Sequence, residues 1–436
     1  MNIRELALSL LLEHESSDTY INLSLSSHKA DSLSPEERSL LTLLLYTAVE
    51  RKITYDYYIA ALCGKSADKL LDRTRNILRL GLCQLLHIDN IPDFAAVNET
   101  VKLAKNPGER SFVNGVLRAA ARNKDSLPMP QKEKNHARYY SVYYSLPLGI
   151  VKHFFSQIGE DESIKLFESF NSPTHTDVTV NTMKVSVDEY LALLTKAGYT
   201  AERVDFSPIT IRISGSVNPR KLRGFEDGFF FVQDSACALC AAVLDPKREE
   251  LIIDTCSAPG GKSFAAAILS SDSADIRSMD IHESKMSLIT DGAKRLGLSS
   301  IKAVVCDATA PDVSLFGMAD KVLCDVPCSG LGVIAKKPDL RYNCLESIKT
   351  LPPLQLEILT ASAKYLKAGG TLVYSTCTLN RAENEEVVLK FLNNNPDFEA
   401  VDFTVGKISS IDGMLTTYPH VHSTDGFFIS KLRKKK

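Results

Sequence analysis

The stretch LIIDTCSAPGGKSFAAAIL, residues 251–269, runs from an apolar strand through a turn with two adjacent glycines into an apolar helix. Glycines at such a turn let the backbone approach a ligand closely, and the first helical amides point towards that ligand. The segment does not match the P-loop pattern G-x-x-x-x-G-K-[ST], because Cys256 occupies its first glycine position. It does not match the dinucleotide-binding pattern G-x-G-x-x-G either, because Gly260 and Gly261 are adjacent. The segment therefore predicts a ligand-binding β-α unit without the usual phosphate loops.

Strand-like and helix-like segments alternate from Phe229 onwards, which is typical of a doubly wound parallel sheet. The predicted strands are LIIDTC, IRSMDI, IKAVVCD, KVLCDVP and TLVYSTC, followed by FEAVDF and DGFFISKL. The first five end at Asp254 or Cys256, Asp280, Asp307, Asp325 and Cys377. Ligands bind beyond the carboxyl ends of strands in such sheets. One aspartate often only caps the next helix or turn, but five reactive strand ends in succession favour a functional site.

Two of these acids indicate the ligand. Asp280 ends the second strand, where doubly wound nucleotide folds place a carboxylate for ribose hydroxyls. Asp307 ends the third strand, where a carboxylate can accept a hydrogen bond from an adenine amino group. An adenosine-bearing ligand without phosphates fits this pattern, so S-adenosylmethionine fits better than NAD or ATP.

Two cysteines follow the fourth and fifth strands: Cys328 in DVPCSGLG and Cys377 in YSTCTL. A single cysteine there usually packs in the core, but two at one rim favour chemistry. Methylation of a pyrimidine carbon suits this pair. Cytosine C5 becomes nucleophilic when a thiolate adds to C6, and a base must later remove the C5 proton so that the thiolate can leave. A carboxylic acid near N3 would stabilise the adduct, and Asp325 is placed for that role.

The rest of the chain predicts further domains. Residues 1–122 have helical periodicity, and Ser34-Pro35-Glu36-Glu37 resembles a helix start. One apolar helical face combines Ile3, Leu6, Ala7, Leu10 and Leu11. Residues 123–137 are polar and contain two prolines, which predicts a linker. Residues 138–223 predict a small α+β lobe of ferredoxin-like or RNA-recognition type, and residues 224–436 predict the Rossmann-like α/β domain.

The composition excludes several classes of protein. The 436 residues carry a net charge of −2, so the chain is no uniformly basic polyanion binder, although basic patches occur at Lys336-Lys337, Lys221–Arg223 and Arg433–Lys436. Ten cysteines are too dilute for a disulfide scaffold, and Cys237 and Cys240 lie in apolar ACALCAAVL, so we expect core residues and no metal site. No apolar run reaches the roughly 18 residues of a membrane helix, and no secretory signal is apparent, which predicts a cytoplasmic protein.

The motifs TCSAPGGKS, DVPCSGLG and YSTCTLNRAENEEVV resemble those of the Nol/Nop/Sun family of RNA cytosine-C5 methyltransferases. The segments AAVNETVKLAK and FVNGVLRAAAR resemble the helical RNA-binding domain of the NusB antitermination factor. The combination is similar to the bacterial 16S rRNA methyltransferase B (Sun/RsmB) group. The resemblance therefore implies an all-α NusB-like domain, an α+β RNA-binding lobe and a methyltransferase domain that uses S-adenosylmethionine.

The resemblance also implies roles for individual residues. Cys377 is the expected nucleophile, Cys328 the residue of product release, and Asp325 a further catalytic and cofactor residue. The expected cofactor-binding residues are Cys256, Ser257, Ala258, Pro259, Gly260, Gly261, Lys262, Asp280, Asp307 and Asp325. RNA contacts are expected from the helical domain, the middle lobe, Lys336 and Lys337.

The expected substrate is a specific cytosine of 16S rRNA, either as naked RNA or in a partly assembled small subunit, and we expect a monomer. Two alternatives stay open. The chain could perform the same chemistry on tRNA or 23S rRNA, or it could be a catalytically inactive RNA-binding assembly factor.

Overall fold

The computed structural model describes residues 2–17, 21, 25 and 33–436. These form two compact units: the described residues up to Glu168 with Lys337–Tyr342, and Ser169–Lys336 with Asn343–Lys436. The helices described over more than one turn are α1 (Ile3–Ser17), α2 (Pro35–Glu50), α3 (Lys52–Cys63), α4 (Asp72–His87), α5 (Asp93–Val101), α6 (Pro107–Arg122), α7 (His136–Tyr143), α8 (Leu148–Ile158), α9 (Glu160–Phe170), α10 (Val187–Lys196), α11 (Ser235–Leu244), α12 (Gly261–Leu269), α13 (Met286–Leu296), α14 (Leu340–Ala363), α15 (Glu385–Asn394) and α16 (Pro419–His422). The strands are β1 (Thr176–Val180), β2 (Ala201–Arg203), β3 (Thr210–Ile213), β4 (Phe230–Val232), β5 (Leu251–Asp254), β6 (Asp275–Asp280), β7 (Ile301–Val305), β8 (Ala319–Asp325), β9 (Leu366–Thr376), β10 (Phe398–Ala400), β11 (Thr404–Val405), β12 (Ile408–Ser409), β13 (Met414–Thr417) and β14 (Phe427–Lys434).

Local sequence signals set the helix starts of the first unit. The Ser34 hydroxyl accepts a hydrogen bond from the Glu37 amide at 3.2 Å, and the Glu37 carboxylate accepts one from the Ser34 amide at 2.9 Å. This capping box, with Pro35 in the first turn, starts α2 as predicted. The predicted apolar face of α1 is also confirmed, because all five of its residues are buried in the core of this unit.

A segment distant in sequence completes the first unit. Arg341 is fully buried there, and its guanidinium donates hydrogen bonds to the carbonyls of Glu50 (3.1 Å), Tyr144 (3.3 Å) and Ser145 (3.3 Å). The Tyr342 hydroxyl donates to the carbonyl of Val49 at 2.6 Å. Since a buried guanidinium is tolerated only when its N–H groups are paired, these bonds fix Lys337–Tyr342 as part of the unit.

The second unit begins with a four-stranded antiparallel sheet in the order β2-β3-β1-β4. Its buried apolar residues pack with α10, which starts at a second capping box between Ser186 and Glu189. The predicted α+β lobe is confirmed as ferredoxin-like, although the short strands β2 and β4 were not predicted individually.

The main sheet has the order β10-β14-β9-β8-β5-β6-β7, with β13 paired to β14. The five predicted strands β5–β9 are parallel, as expected. The last two predicted strands form an antiparallel edge, because β14 runs antiparallel to β9 and β10 antiparallel to β14. A mixed edge of this kind is common on doubly wound sheets, since it needs no crossover helix. No helix in the described part of the chain is long and apolar enough to cross a membrane.

Candidate active site

The carboxyl ends of the five parallel strands bring the sequence-predicted residues to one edge. Strand β5 lies between β6 and β8, so the glycine-containing turn after it stands where the strand order reverses. Doubly wound sheets bind ligands in the crevice at this point. Asp325 at the end of β8 is paired in register with Ser375 of β9, two residues before Cys377.

The turn between β5 and α12 requires glycine for steric reasons. Gly260 has φ +108°, and a Cβ there would lie 2.5 Å from the ring of Phe264. A Cβ on Gly261 would approach the side-chain amide of Gln233 to 3.1 Å. The backbone can therefore lie close to a ligand only because these side chains are missing. The Ser257 hydroxyl in the same turn is buried and has no hydrogen-bond partner among the described residues, which leaves a polar group available to a ligand.

Asp280 and Asp307 stand at the ends of neighbouring strands beside this turn. The Asp280 carboxylate accepts hydrogen bonds from the amides of His282 (3.0 Å) and Ala258 (3.3 Å). The Asp307 carboxylate accepts from the hydroxyl (2.7 Å) and amide (2.9 Å) of Thr309, which lowers the pKa of Asp307. Two carboxylates, an unpaired hydroxyl and the first amides of α12 are a donor and acceptor set that fits the ribose and adenine of S-adenosylmethionine.

Lys262 connects the turn to the catalytic side of the crevice. Its ammonium lies 2.6 Å from Asp325 Oδ2, and the Ser375 hydroxyl donates to Asp325 Oδ1 at 2.7 Å. Burial is the largest single influence and opposes the charge on Lys262, but the Asp325 carboxylate together with the nearby Cys237 and Cys240 sulfurs raises the pKa of Lys262 well above its usual value. Because this charge is paired with Asp325, Lys262 is not a free cation that could stabilise a thiolate nearby.

The two candidate catalytic cysteines are in direct contact. Cys328 Sγ and Cys377 Sγ are 3.3 Å apart. Interaction with the Cys377 sulfur, together with burial, raises the pKa of Cys328 well above its usual value. Cys328 therefore keeps its proton at neutral pH and can donate it in a hydrogen bond to the Cys377 sulfur.

Buried polar contacts hold the two cysteine loops together. The buried Glu383 carboxylate accepts hydrogen bonds from the Ser329 amide (2.8 Å) and from the Asn380 side-chain amide (3.0 Å). Ser329 directly follows Cys328, and Asn380 lies three residues after Cys377. The sequence reasoning missed Glu383, although the polar run NRAENEE directly after the second cysteine motif was a signal for such a contact.

Asp254 lies below the turn and has a supporting position. Its side chain is fully buried, and one oxygen accepts a hydrogen bond from the Ser263 hydroxyl at 2.7 Å. Ser263 in turn accepts from the Ser278 hydroxyl at 2.7 Å, while the second Asp254 oxygen has no hydrogen-bond partner in the part of the chain that the structure describes. Burial raises the pKa of Asp254 to about 7. Asp254 therefore anchors α12 to β5 and β6 from inside the sheet.

The Lys336 ammonium is already paired within the protein, which counts against the predicted contact with RNA. Two ion pairs hold it, at 2.6 Å to Asp234 and at 3.1 Å to Asp425. They join α11, which Asp234 caps, to the turn before β14. Lys337 is exposed. The terminal patch is also largely occupied, because Arg433 pairs with Glu399 at 2.6 Å and Lys435 donates to the Pro396 carbonyl at 2.7 Å.

Three family models match the chain. The model described as 16S rRNA methyltransferase RsmB/F matches residues 241–433, and the NusB family model matches residues 1–122. A ferredoxin-like domain model described as Methyltr_RsmF/B-like matches residues 147–219. These matches confirm the three-part fold predicted from the sequence.

Individual relatives and solved structures match about two thirds of the chain or all of it. The "Probable ribosomal RNA small subunit methyltransferase B" of Bacillus subtilis (strain 168) is 36% identical over 448 residues, which cover 100% of this chain and 99% of the relative. The crystal structure of PH0851 has a TM-score of 0.82 at 28% identity and covers 100% of this chain and 99% of its own. NSun6 from Pyrococcus horikoshii, solved with SFG, has a TM-score of 0.60 at 26% identity and covers 65% of this chain and 97% of its own.

Proposed function

The chain belongs to the RsmB/F family of 16S rRNA methyltransferases, which are SAM-dependent enzymes, and on that premise we propose that it methylates C5 of one cytosine in 16S rRNA through a covalent adduct on Cys377. The observation that carries the proposal is the 3.3 Å contact between Cys328 and Cys377 at the strand edge that also carries the glycine turn. We further infer that the enzyme works in the cytoplasm as a monomer.

S-adenosylmethionine binding is assigned to the turn and its neighbouring acids. Asp280 would hold the ribose hydroxyls, Asp307 the adenine amino group, and the backbone of the turn, Cys256–Lys262, would line the remainder of the ligand. Bound there, the cofactor supplies an electrophilic methyl group on its sulfonium. The chain's own residues then have to position the cytosine and activate its C5.

The first covalent step belongs to Cys377. Its thiolate adds to cytosine C6, and the electron pair that this addition places on C5 attacks the methyl carbon while the bond from that carbon to sulfur breaks. The Cys328 thiol supports the step by donating a hydrogen bond to the Cys377 thiolate beforehand. Asp325 is paired with Lys262 and in that pair accepts hydrogen bonds. An acceptor suits the exocyclic amino group of cytosine better than it suits N3.

Release is assigned to Cys328. The largest cause of its raised pKa is the neighbouring Cys377 sulfur, and that sulfur is a neutral thioether while the adduct exists. Cys328 can then lose its proton to water. This is the one proton that the overall methylation reaction releases. The Cys328 thiolate takes the C5 proton, the C6–S bond breaks, and the electron pair returns to Cys377. The cycle closes with Cys328 protonated and Cys377 ionised, as at the start.

Bisulfite sequencing of total RNA from cells with and without this protein tests the proposal. We expect one 16S rRNA position to lose its methylation in the deletion strain and to regain it with the wild-type gene but not with Cys377→Ala. Loss at a tRNA or 23S rRNA position instead would assign the same chemistry to another substrate. S-adenosylmethionine binding by the purified protein without methylation of any RNA would favour an inactive assembly factor. Naked 16S rRNA and partly assembled subunits should be compared as substrates in vitro.

A further inference from the structure

A groove of about 300 Å³ opens between α5 and α6 of the helical unit. Phe94 and Asn98 lie one turn apart on α5, and Arg118 and Arg122 lie one turn apart on α6, so each pair shares one helix face. Val97 and Ala121 also line the groove. An aromatic ring and a side-chain amide from one helix and two guanidinium groups from the other therefore line this partly apolar groove.

The groove exposes groups that a protein usually covers. The Phe94 side chain is 72% exposed, more than any other phenylalanine in the described part of the chain. Arg118 Nε donates to the Asn114 side-chain carbonyl at 2.9 Å, which leaves its terminal N–H groups for another acceptor. Within the described residues neither Arg118 nor Arg122 has an acidic partner, and the Asp93 carboxylate beside Phe94 is already paired with Lys124 at 3.6 Å. The groove is therefore positively charged around an exposed aromatic ring.

We infer that this groove binds one unpaired nucleotide of the substrate RNA, with the base stacked on Phe94 and the phosphate held by Arg118 and Arg122. Single-stranded RNA is recognised by stacking of splayed bases on aromatic rings and by charge-assisted bonds from guanidinium to phosphate. Asn98 can pair with the edge of the stacked base. A partner protein with an apolar side chain would use Phe94 and Val97 but would leave the two guanidinium groups without acceptors. The inference rests on the proposed function, since it concerns the RNA on which that function acts.

The test uses the full-length protein and two labelled probes, a 12-nucleotide single-stranded segment of 16S rRNA and the same segment closed in a duplex. We expect Phe94→Ala to weaken binding of the single strand roughly 5- to 150-fold, the range for one lost stacking contact. Phe94→Tyr should restore affinity, because it keeps the ring. The double variant Arg118→Gln/Arg122→Gln should lower the slope of log K against log salt by about 0.7, the contribution of the one phosphate that the two guanidinium groups hold.

Matched controls are Leu71→Ala, which removes an equally exposed apolar side chain, and Lys65→Gln, which removes an exposed cation. Thermal unfolding of every variant should match the wild type. Wild-type affinity and salt slope in both groove variants would overturn the inference, whether or not these variants lose a partner protein instead. Methylation by the wild type would in that case still support the proposed function. If the wild-type protein methylates no RNA but the groove variants still bind RNA more weakly than it does, the inference about the groove is supported and the proposed function is rejected.

Discussion

Cys328 Sγ lies 3.3 Å from Cys377 Sγ, close enough for one hydrogen bond between the two sulfurs. The neighbouring Cys377 sulfur and burial raise the pKa of Cys328 well above its usual value, so Cys328 keeps its proton at neutral pH. The proposed mechanism gives the two cysteines different tasks, and this difference leads to distinct expectations for their variants.

Cys377→Ala should abolish both methylation and any covalent RNA adduct, because the attacking thiolate is lost. Cys328→Ala should still form the adduct and transfer the methyl group, then stall as a protein–RNA complex that survives denaturing electrophoresis. Cys63→Ala, which removes a free thiol from the other unit, is the control and should behave as wild type. An adduct trapped by Cys377→Ala and absent from Cys328→Ala would reverse the two roles.

Asp280→Asn should weaken S-adenosylmethionine binding at least tenfold, because a charged hydrogen-bond acceptor worth about 1 to 3 kcal/mol is lost at the ribose. Isothermal titration calorimetry measures this directly. Asp275→Asn is the matched control, since Asp275 starts the same strand at its opposite end and pairs there with Arg277. Equal affinity of the two variants would remove Asp280 from the cofactor site.

Asp254 should make stability fall as pH rises. Its folded-state pKa is raised to about 7, so the folded protein binds more protons than the unfolded chain between about pH 4 and pH 7. The free energy of unfolding then declines across this range by at most about 4 kcal/mol. Asp254→Asn should remove the decline in urea unfolding measured from pH 5 to pH 8.

A variant at Asp307 provides the control for that experiment. The pKa of Asp307 is lowered, so its contribution is lost only as pH falls below the range measured, and Asp307→Asn should keep the wild-type slope. If Asp254→Asn also kept that slope, Asp254 would not be the group that titrates.

Lys336→Met should destabilise the second unit by about 3 to 5 kcal/mol, because it leaves Asp234 and Asp425 buried without their cation. The neighbouring exposed residue gives a matched comparison, since Lys337→Met should change stability by less than about 0.5 kcal/mol. Chemical denaturation of both variants checks this. A similar small effect from both would mean that the ion pairs contribute little to the fold.

Local patterns predicted what depends on neighbouring residues along the chain. The Ser34–Glu37 capping box follows from short-range spacing, and the structure has it. The ends of β5, β6 and β8 also agree with the prediction, whereas β7 and β9 end two residues and one residue before the predicted positions. The acidic partners of Lys336 are 102 and 89 residues away in the sequence. The local pattern Lys336-Lys337 therefore could not show that the charge of Lys336 is already paired. The same applies to Glu383 and Ser329, which are 54 residues apart. The roles of the site residues and the boundaries at residues 122, 137 and 223 remain predictions.

The buried Arg341 has a consequence for how such a chain can be inherited. Its codon lies within the methyltransferase part of the gene, yet its three carbonyl partners, Glu50, Tyr144 and Ser145, are encoded at the other end. These acceptors are main-chain carbonyls, which any sequence supplies, so an exchanged helical part would keep the bonds only if its backbone followed the same path. Replacement of Arg341 would instead leave those carbonyls without this donor, so we expect selection to act on residue 341 rather than on the side chains at positions 50, 144 and 145.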